Sequence, residues 1–301
     1  MRESIDVSII IVNWNRLDDI LKNLHYLRQQ RGLRTEVVVV DNGSTDGSAE
    51  RLSRIGWIRL VRLATNVGPA EARNYGIRIS GGAYIVFLDS DAILSKAGLT
   101  KLVSRMESDA TIGIIGCRIV NSQTRKTDAW IHALPASSHE FREFDTYSFS
   151  AAGAIARTEA LRAAGPFWDE LFIYNEEVDL SIRVLRAGYR ILYSPVARVY
   201  HRVSQNGRVA TGAYWRLLIR NWIWIFYRHY PKRARLRKVA IYILLYVVKG
   251  ALNRRLADCL KGILEGLWHT EIIARFPDKL SPEEVDRLYA LNRRTRLRLD
   301  R

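Results

Sequence analysis

Asp89 and Asp91 stand one residue apart at the end of an apolar run, Tyr84-Ile85-Val86-Phe87-Leu88. Two carboxylates at this spacing, on a backbone that turns after a strand, can share one hard divalent cation with the oxygens of a diphosphate. A D-x-D tripeptide taken alone is more often a solvated turn. Its setting argues otherwise. An unbroken apolar run reads as a parallel strand buried on both faces, and ligands bind outside the carboxyl ends of such strands.

The elements that must position these carboxylates follow from periodicity. Val7 to Val12 is an apolar strand ending in Asn13-Trp14-Asn15, and Leu17, Ile20, Leu21, Leu24 and Leu27 then recur at helical spacing until Gly32 closes the helix. Val37 to Val40 is a second buried strand, running into Asp41-Asn42-Gly43-Ser44-Thr45-Asp46-Gly47-Ser48. A third strand is expected near Ile58–Leu63, then a helix from about Ala70 to Ser80 and the Asp-bearing strand. Strands alternating with helices predict βαβ units: an α/β fold with a mostly parallel sheet flanked by helices. Asn13/Asn15, Asp41 and Asp89/Asp91 then lie at three strand ends, and a parallel sheet gathers them at one crevice. Asp41 can accept hydrogen bonds from a nucleobase imide or a ribose, whereas Asp46 reads as a helix N-cap. No G-x-G-x-x-G follows the first strand and no G-x-x-x-x-G-K-[ST] is present, which argues against a dinucleotide oxidoreductase and a phosphate loop.

Several runs resemble the family 2 inverting glycosyltransferases. They are Ser8-Ile9-Ile10-Ile11-Val12-Asn13-Trp14-Asn15, Val40 to Ser48, Asn66-Val67-Gly68 with Ala72-Arg73-Asn74-Tyr75-Gly76, and Phe87 to Asp91. Gly165-Pro166-Phe167, Leu171 to Ser181, Ala187 to Ile191 and Val199-Tyr200-His201 extend the likeness over roughly the first two thirds of the chain. The resemblance implies a GT-A type nucleotide-binding fold and a nucleoside diphosphate sugar donor. Val12, Asn13, Asn15 and Asp41 would hold base and ribose, Asn66 and Arg73 would lie near the nucleotide or its phosphates, and Asp89 would face the ribose or sugar. Asp91 would coordinate Mg²⁺ or Mn²⁺, with His201 as a second ligand; a lone histidine is otherwise more often a surface or satisfied core residue.

An inverting transfer also needs a carboxylate on the opposite face of the sugar to take the acceptor hydroxyl's proton. Glu176, Glu177 and Asp179 supply an acidic cluster at the start of a helix whose apolar positions are Val178, Ile182 and Leu185, although a helix's first turn favours acidic residues in any case. The family usually carries Glu-Asp where this chain has Glu176-Glu177, so the resemblance makes Glu177 the base and Glu176 its rival. Asp179 and Trp168 are expected on the acceptor side, Trp168 either against the acceptor or filling the core. Small residues at Ser150 to Ala154 either admit a sugar ring or pack tightly.

The 47 Lys and Arg against 31 Asp and Glu give a net charge of +16, which suits polyanionic partners. Cys117 and Cys259 lack metal-ligand spacing, no signal peptide is visible at the N-terminus, and a cytoplasmic catalytic part is expected. From Tyr214 onward, apolar aromatic helices alternate with basic runs, and Val239 to Val248 is too short to cross a bilayer. That pattern fits peripheral attachment to an anionic membrane surface at its inner face, or else a helical subdomain with basic faces. The expected organisation is residues 1–208 as the catalytic domain, with a nucleotide-sugar half at 1–92 and an acceptor half at 93–208, followed by a helical region at 209–301. The acceptor is expected to be a glycan or a polyprenyl-linked glycan of cell-surface polysaccharide synthesis, and rhamnose or another hexose the sugar. A sugar-nucleotide pyrophosphorylase would want a glycine-rich basic loop where Asn13-Trp14-Asn15-Arg16-Leu17 stands. A non-catalytic basic membrane or nucleic-acid binder would not need acidic clusters at strand ends, which repel phosphates without a metal, so nucleic acid is not an expected partner.

Overall fold

The computed structural model describes residues 5–132, 134–202, 210–268, 276 and 278–293. Strands β1 (Val7–Asn13), β2 (Thr35–Asp41), β3 (Arg59–Arg62) and β4 (Tyr84–Asp89) are parallel, in the order β3-β2-β1-β4. Helices α1 (Leu17–Leu27), α2 (Ser48–Leu52) and α3 (Gly68–Ile79) connect them. The apolar runs divide by parity. Ile9, Ile11, Val37, Val39, Val86 and Leu88 enter one core, while Ile10, Val38, Val40, Ile85 and Phe87 enter the other. Side chains alternate across a strand, so a run buried on both faces must be apolar throughout. Register brings Asn13 opposite Asp41 and Val12 opposite Asp89, so the three polar strand ends share one edge. That edge is the point where the strand order reverses about β1 and β4, the usual ligand crevice of such sheets.

Beyond β4 the sheet is mixed. The elements are β5 (Ala92–Leu94), α4 (Gly98–Glu107), β6 (Ile112–Asn121), α5 (Ala136–His139), β7 (Phe144–Asp145), β8 (Gly153–Arg157), α6 (Thr158–Ala164), α7 (Glu176–Arg186) and β9 (Arg190–His201). β8 runs antiparallel between β4 and β6, and β9 lies parallel to β6 and antiparallel to β5. The β6–β9 ladder shifts register between Cys117 and Arg118, and β9 ends with His201 opposite Ala92, the residue after Asp91. Gly68, at φ +84°, opens α3 where an added Cβ would lie 2.5 Å from the Phe172 carbonyl oxygen. Only glycine permits that approach, which draws the loop before α7 onto the nucleotide half.

Among the described residues, four helices follow: α8 (Thr211–His229), α9 (Lys232–Leu252), α10 (Leu256–Trp268) and α11 (Pro282–Arg293). Ile219, Ile223, Phe226, Tyr246, Cys259 and Ile263 share a third core with Trp168, Leu171 and Ile182, so α8 to α10 are built onto the helix that carries Glu176 and Glu177. The boundary expected at residue 208 falls within 203–209, outside the described residues, as do residues 294–301 of the basic tail. Among the described residues no helix is long and apolar enough to cross a membrane.

Candidate active site

The cleft at the carboxyl edge of β1 and β4 has a volume of about 250 Å³ and is lined from both halves of the chain. Val12, Asn66, Arg73 and Asp89 face it from one side, and Glu176 and Glu177 from the other. Asn66 is fixed by its neighbours: its Oδ1 accepts from Asn42 Nδ2 at 2.9 Å and from the Gly68 amide at 2.9 Å. Asn13, Asn15 and Asp41 brace the loops behind the lining. Asn13 Nδ2 donates to Asp41 Oδ1 (3.1 Å), Ser44 N donates to Asp41 Oδ2 (3.2 Å), and Thr45 N donates to Asn15 Oδ1 (2.7 Å).

Asp89, Asp91 and His201 bring one ligand atom each to within 4.8 Å of one another. His201 Nε2 is 3.3 Å from Asp91 Oδ1, and Arg16 Nη1 is 2.8 Å from Asp91 Oδ2. Burial alone would lower the His201 pKa, yet the hydrogen bond and charge of Asp91, with Asp89 behind it, raise it above its ordinary value. This concentration of negative charge around one imidazole fits a divalent cation. Carboxylate oxygens suit Mg²⁺ and Mn²⁺, and an imidazole nitrogen is compatible with the latter.

Arg73 joins the two sides. Its guanidinium is buried, 2.9 Å from Glu176 Oε1 and 3.6 Å from Asp89 Oδ1. Burial opposes its charge, but Glu176, Glu177 and Asp89 outweigh that and raise its pKa. Glu176 is buried, and desolvation, reinforced by the Glu177 charge, pushes its pKa up to about 8 against the pull of Arg73. Its Oε2 has no hydrogen-bond partner among the described residues. Glu177 is only half-buried, and its Oε1 accepts from the Ala151 amide at 3.3 Å. The small residues around Ala151 thus bring backbone to a carboxylate.

The model for "Glycosyl transferase family 2" matches residues 8–164, just over half of the chain. The chain belongs to this family. The amylovoran biosynthesis glycosyltransferase AmsB of Erwinia amylovora is 30% identical over 222 residues, covering 68% of this chain and 72% of AmsB. The pre-mycofactocin glycosyltransferase of Mycobacterium tuberculosis is 31% identical over 207 residues, 65% of this chain but only 42% of that protein. Among solved structures, GalNAc-T7 with UDP, GalNAc and Mn²⁺ superposes with a TM-score of 0.62 at 16% identity, covering 92% of this chain and 59% of that one. The mannosyltransferase PcManGT from Pyrobaculum calidifontis, with GDP-Man and Mn²⁺, gives 0.59 at 19% identity, covering 89% and 88%. These likenesses establish the GT-A type fold.

The cleft collects six of the expected residues, and the cation cluster adds Asp91 and His201. Trp168 and Asp179, expected against the acceptor, are not among the lining residues. Trp168 is buried against Trp224 and Phe276 with Arg228 over its ring, so it fills core. Asp179 is wholly buried; Arg183, Arg228 and His229 approach it at 2.6, 3.0 and 2.8 Å. Burial would raise its pKa, but these partners hold it well below the usual carboxylate range. Lining residues to which the sequence reading gave no role include Trp14, Arg16, Asn42, Phe172 and Tyr174. Arg16 had a visible signal, a cation in a strand-end loop. The Phe172–Asn175 loop lies in the Leu171 to Ser181 run of the resemblance, but its backbone was not legible: Phe172, Tyr174 and Asn175 adopt φ of 62°, 74° and 66°, unusual backbone that collects at functional loops.

Proposed function

We propose that this family 2 member is an inverting glycosyltransferase that moves a hexose or deoxyhexose, rhamnose among them, from a nucleoside diphosphate to a glycan hydroxyl. Residues 1–208 form its catalytic part. The observation that carries this reading is the shared cleft: Asp89 and the cation cluster lie on one side, Glu177 on the other, with Arg73 between. Val12 and the loop braced by Asn13, Asn15 and Asp41 receive base and ribose. Asn66 and Arg73 face the donor.

Asp91, Asp89 and His201 hold Mg²⁺ or Mn²⁺, which when bound supplies charge stabilisation for the departing diphosphate. Arg16 and Arg73 add fixed positive charge beside it. The acceptor oxygen bonds to the anomeric carbon as the bond from that carbon to the phosphate oxygen breaks, and Glu177 takes the hydroxyl proton. Glu177 suits this role because it opens onto the cleft, whereas Glu176 is buried against Arg73. The curated relatives named for amylovoran and succinoglycan biosynthesis support an acceptor in polysaccharide assembly, free or polyprenyl-linked. Nucleoside diphosphate release from UDP-, dTDP- and GDP-sugars, with and without Mn²⁺, tests the reading. Turnover of one donor that depends on the cation and inverts the anomeric centre is expected; retention or cation-independent transfer would overturn it.

A further inference from the structure

Helix α10 is packed with its sides exchanged. A helix of a water-soluble domain buries its leucines and exposes its small and polar residues. Here Cys259, Gly262 and Gly266 face the core, with Ile263 between them. An added Cβ on Gly262 would lie 2.2 Å from the Arg216 carbonyl oxygen of α8, and one on Gly266 would lie 2.9 Å from Ile223. The close approach to α8 is therefore made by glycines. The leucines point outward: Leu256, Leu260, Leu264 and Trp268, at successive steps of four, form one exposed stripe. Helix α9 repeats the device with Leu244, Val248 and Leu252. Exposure reaches 66% at Leu244, 79% at Leu252, 67% at Leu264 and 80% at Trp268. An apolar face of this extent on adjoining helices is more than the scattered surface leucines of an ordinary domain.

Charge says what covers it. From Lys232 to Trp268 there are nine Lys and Arg and two acidic residues, Asp258 and Glu265. Both acids are engaged by arginines, Asp258 by Arg255 at 3.7 Å and Glu265 by Arg216 at 2.9 Å. Lys249, Arg254, Arg255 and Lys261 are exposed around the apolar stripes. Aliphatic and tryptophan side chains bordered by cations match a layer with an apolar interior and an anionic surface. A second copy of this chain would bring the same cations against themselves. Neither helix is able to span the layer.

We infer that the α9–α10 hairpin lies in the surface of an anionic phospholipid bilayer, with its leucine stripes inserted among the acyl chains. Asn221 of α8 donates to the carbonyls of Leu171 (3.0 Å), Ile173 (2.9 Å) and Tyr174 (2.7 Å), in the loop that lines the cleft beside Glu177. That loop hangs from the helix onto which the docking hairpin is packed, so one helix links the docking surface to the cleft. The docking does not rest on the acceptor reading above.

The test is sedimentation of the full chain with vesicles of phosphatidylglycerol and phosphatidylcholine, and with phosphatidylcholine alone. Binding is expected to the first and to weaken with salt. Leu244→Glu with Leu264→Glu is expected to lower the partition coefficient at least about tenfold, while the melting temperature and donor hydrolysis in solution stay unchanged. Wild-type protein remaining in the supernatant, or equal binding by the variant, would overturn docking. So would a wild-type dimer that the variant dissociates. Vesicle binding by a chain that hydrolyses no nucleotide sugar would leave docking standing and remove the glycosyltransferase reading instead.

Discussion

Arg73 Nη1 donates to Glu176 Oε1 at 2.9 Å, a buried contact that joins α3 to α7 across 103 residues of sequence. A buried guanidinium is costly once its hydrogen-bonding partner is gone, and the carboxyl likewise once the guanidinium is. Arg73→Ala is expected to destabilise the fold by about 3 to 5 kcal/mol in urea denaturation. Pairing it with Glu176→Leu should recover part of the loss. Strictly additive costs in that double-mutant cycle would mean the two side chains are not coupled.

Glu177→Gln keeps the shape of the side chain and removes the proton acceptor. Transfer should fall about 10²- to 10⁴-fold, with donor affinity by calorimetry unchanged. Full transfer by this variant, with loss in Glu176→Gln, would hand the base role to Glu176.

Asp91→Asn replaces a buried carboxylate in the cation cluster by an amide. Mn²⁺ binding followed by electron paramagnetic resonance should weaken, and Mn²⁺ should cease to stimulate donor turnover. Unchanged Mn²⁺ affinity would place the cation elsewhere.

Glu176, with a pKa of about 8 against an ordinary 4.5, gives stability a definite slope. Between those values the folded protein keeps a proton that the unfolded chain has released. Its contribution to stability therefore falls as pH rises through that window. Melting temperatures from about pH 6 to about pH 9 should decline more steeply in the wild type than in Glu176→Gln, which has no proton to lose. Parallel slopes would contradict the raised pKa.

Asp179→Asn removes the common anion of Arg183, Arg228 and His229. A cost of about 3 to 5 kcal/mol is expected, with little change in donor binding, because Asp179 does not line the cleft. The depressed pKa of Asp179 adds stability that is present above the unfolded value and is lost as pH falls through the folded one, so the mutant's deficit should shrink in acid.

The nucleotide half was legible because its physics is local. Strands buried on both faces spell continuous apolar runs, and parallel register then dictates that Asn13, Asp41 and Asp89 meet at one edge. His201 was reached through resemblance alone, because the ladder that sets it beside Asp91 is a pairing with strands far away in sequence. Asp179 was misplaced for a similar reason, and of the two readings of Trp168 only the folded chain selects the core. Nothing near Asp179 in the sequence reveals that Arg228 and His229, some fifty residues on, consume its charge. The mixed half of the sheet was hidden too, since β8 reads as small residues until its neighbours β4 and β6 are known. Asn221 left a readable trace, an amide among tryptophans and isoleucines, whose carbonyl partners only the folded chain identifies.

The register shift between Cys117 and Arg118 sets a rule of parity for β9. Side chains switch faces with every residue, so gaining or losing one residue between the shift and His201 would turn the imidazole away from Asp91, whereas a change of two would preserve its face. Natural length variation in this strand should therefore come in pairs wherever a histidine serves the cation, and odd changes should coincide with another residue type at that position.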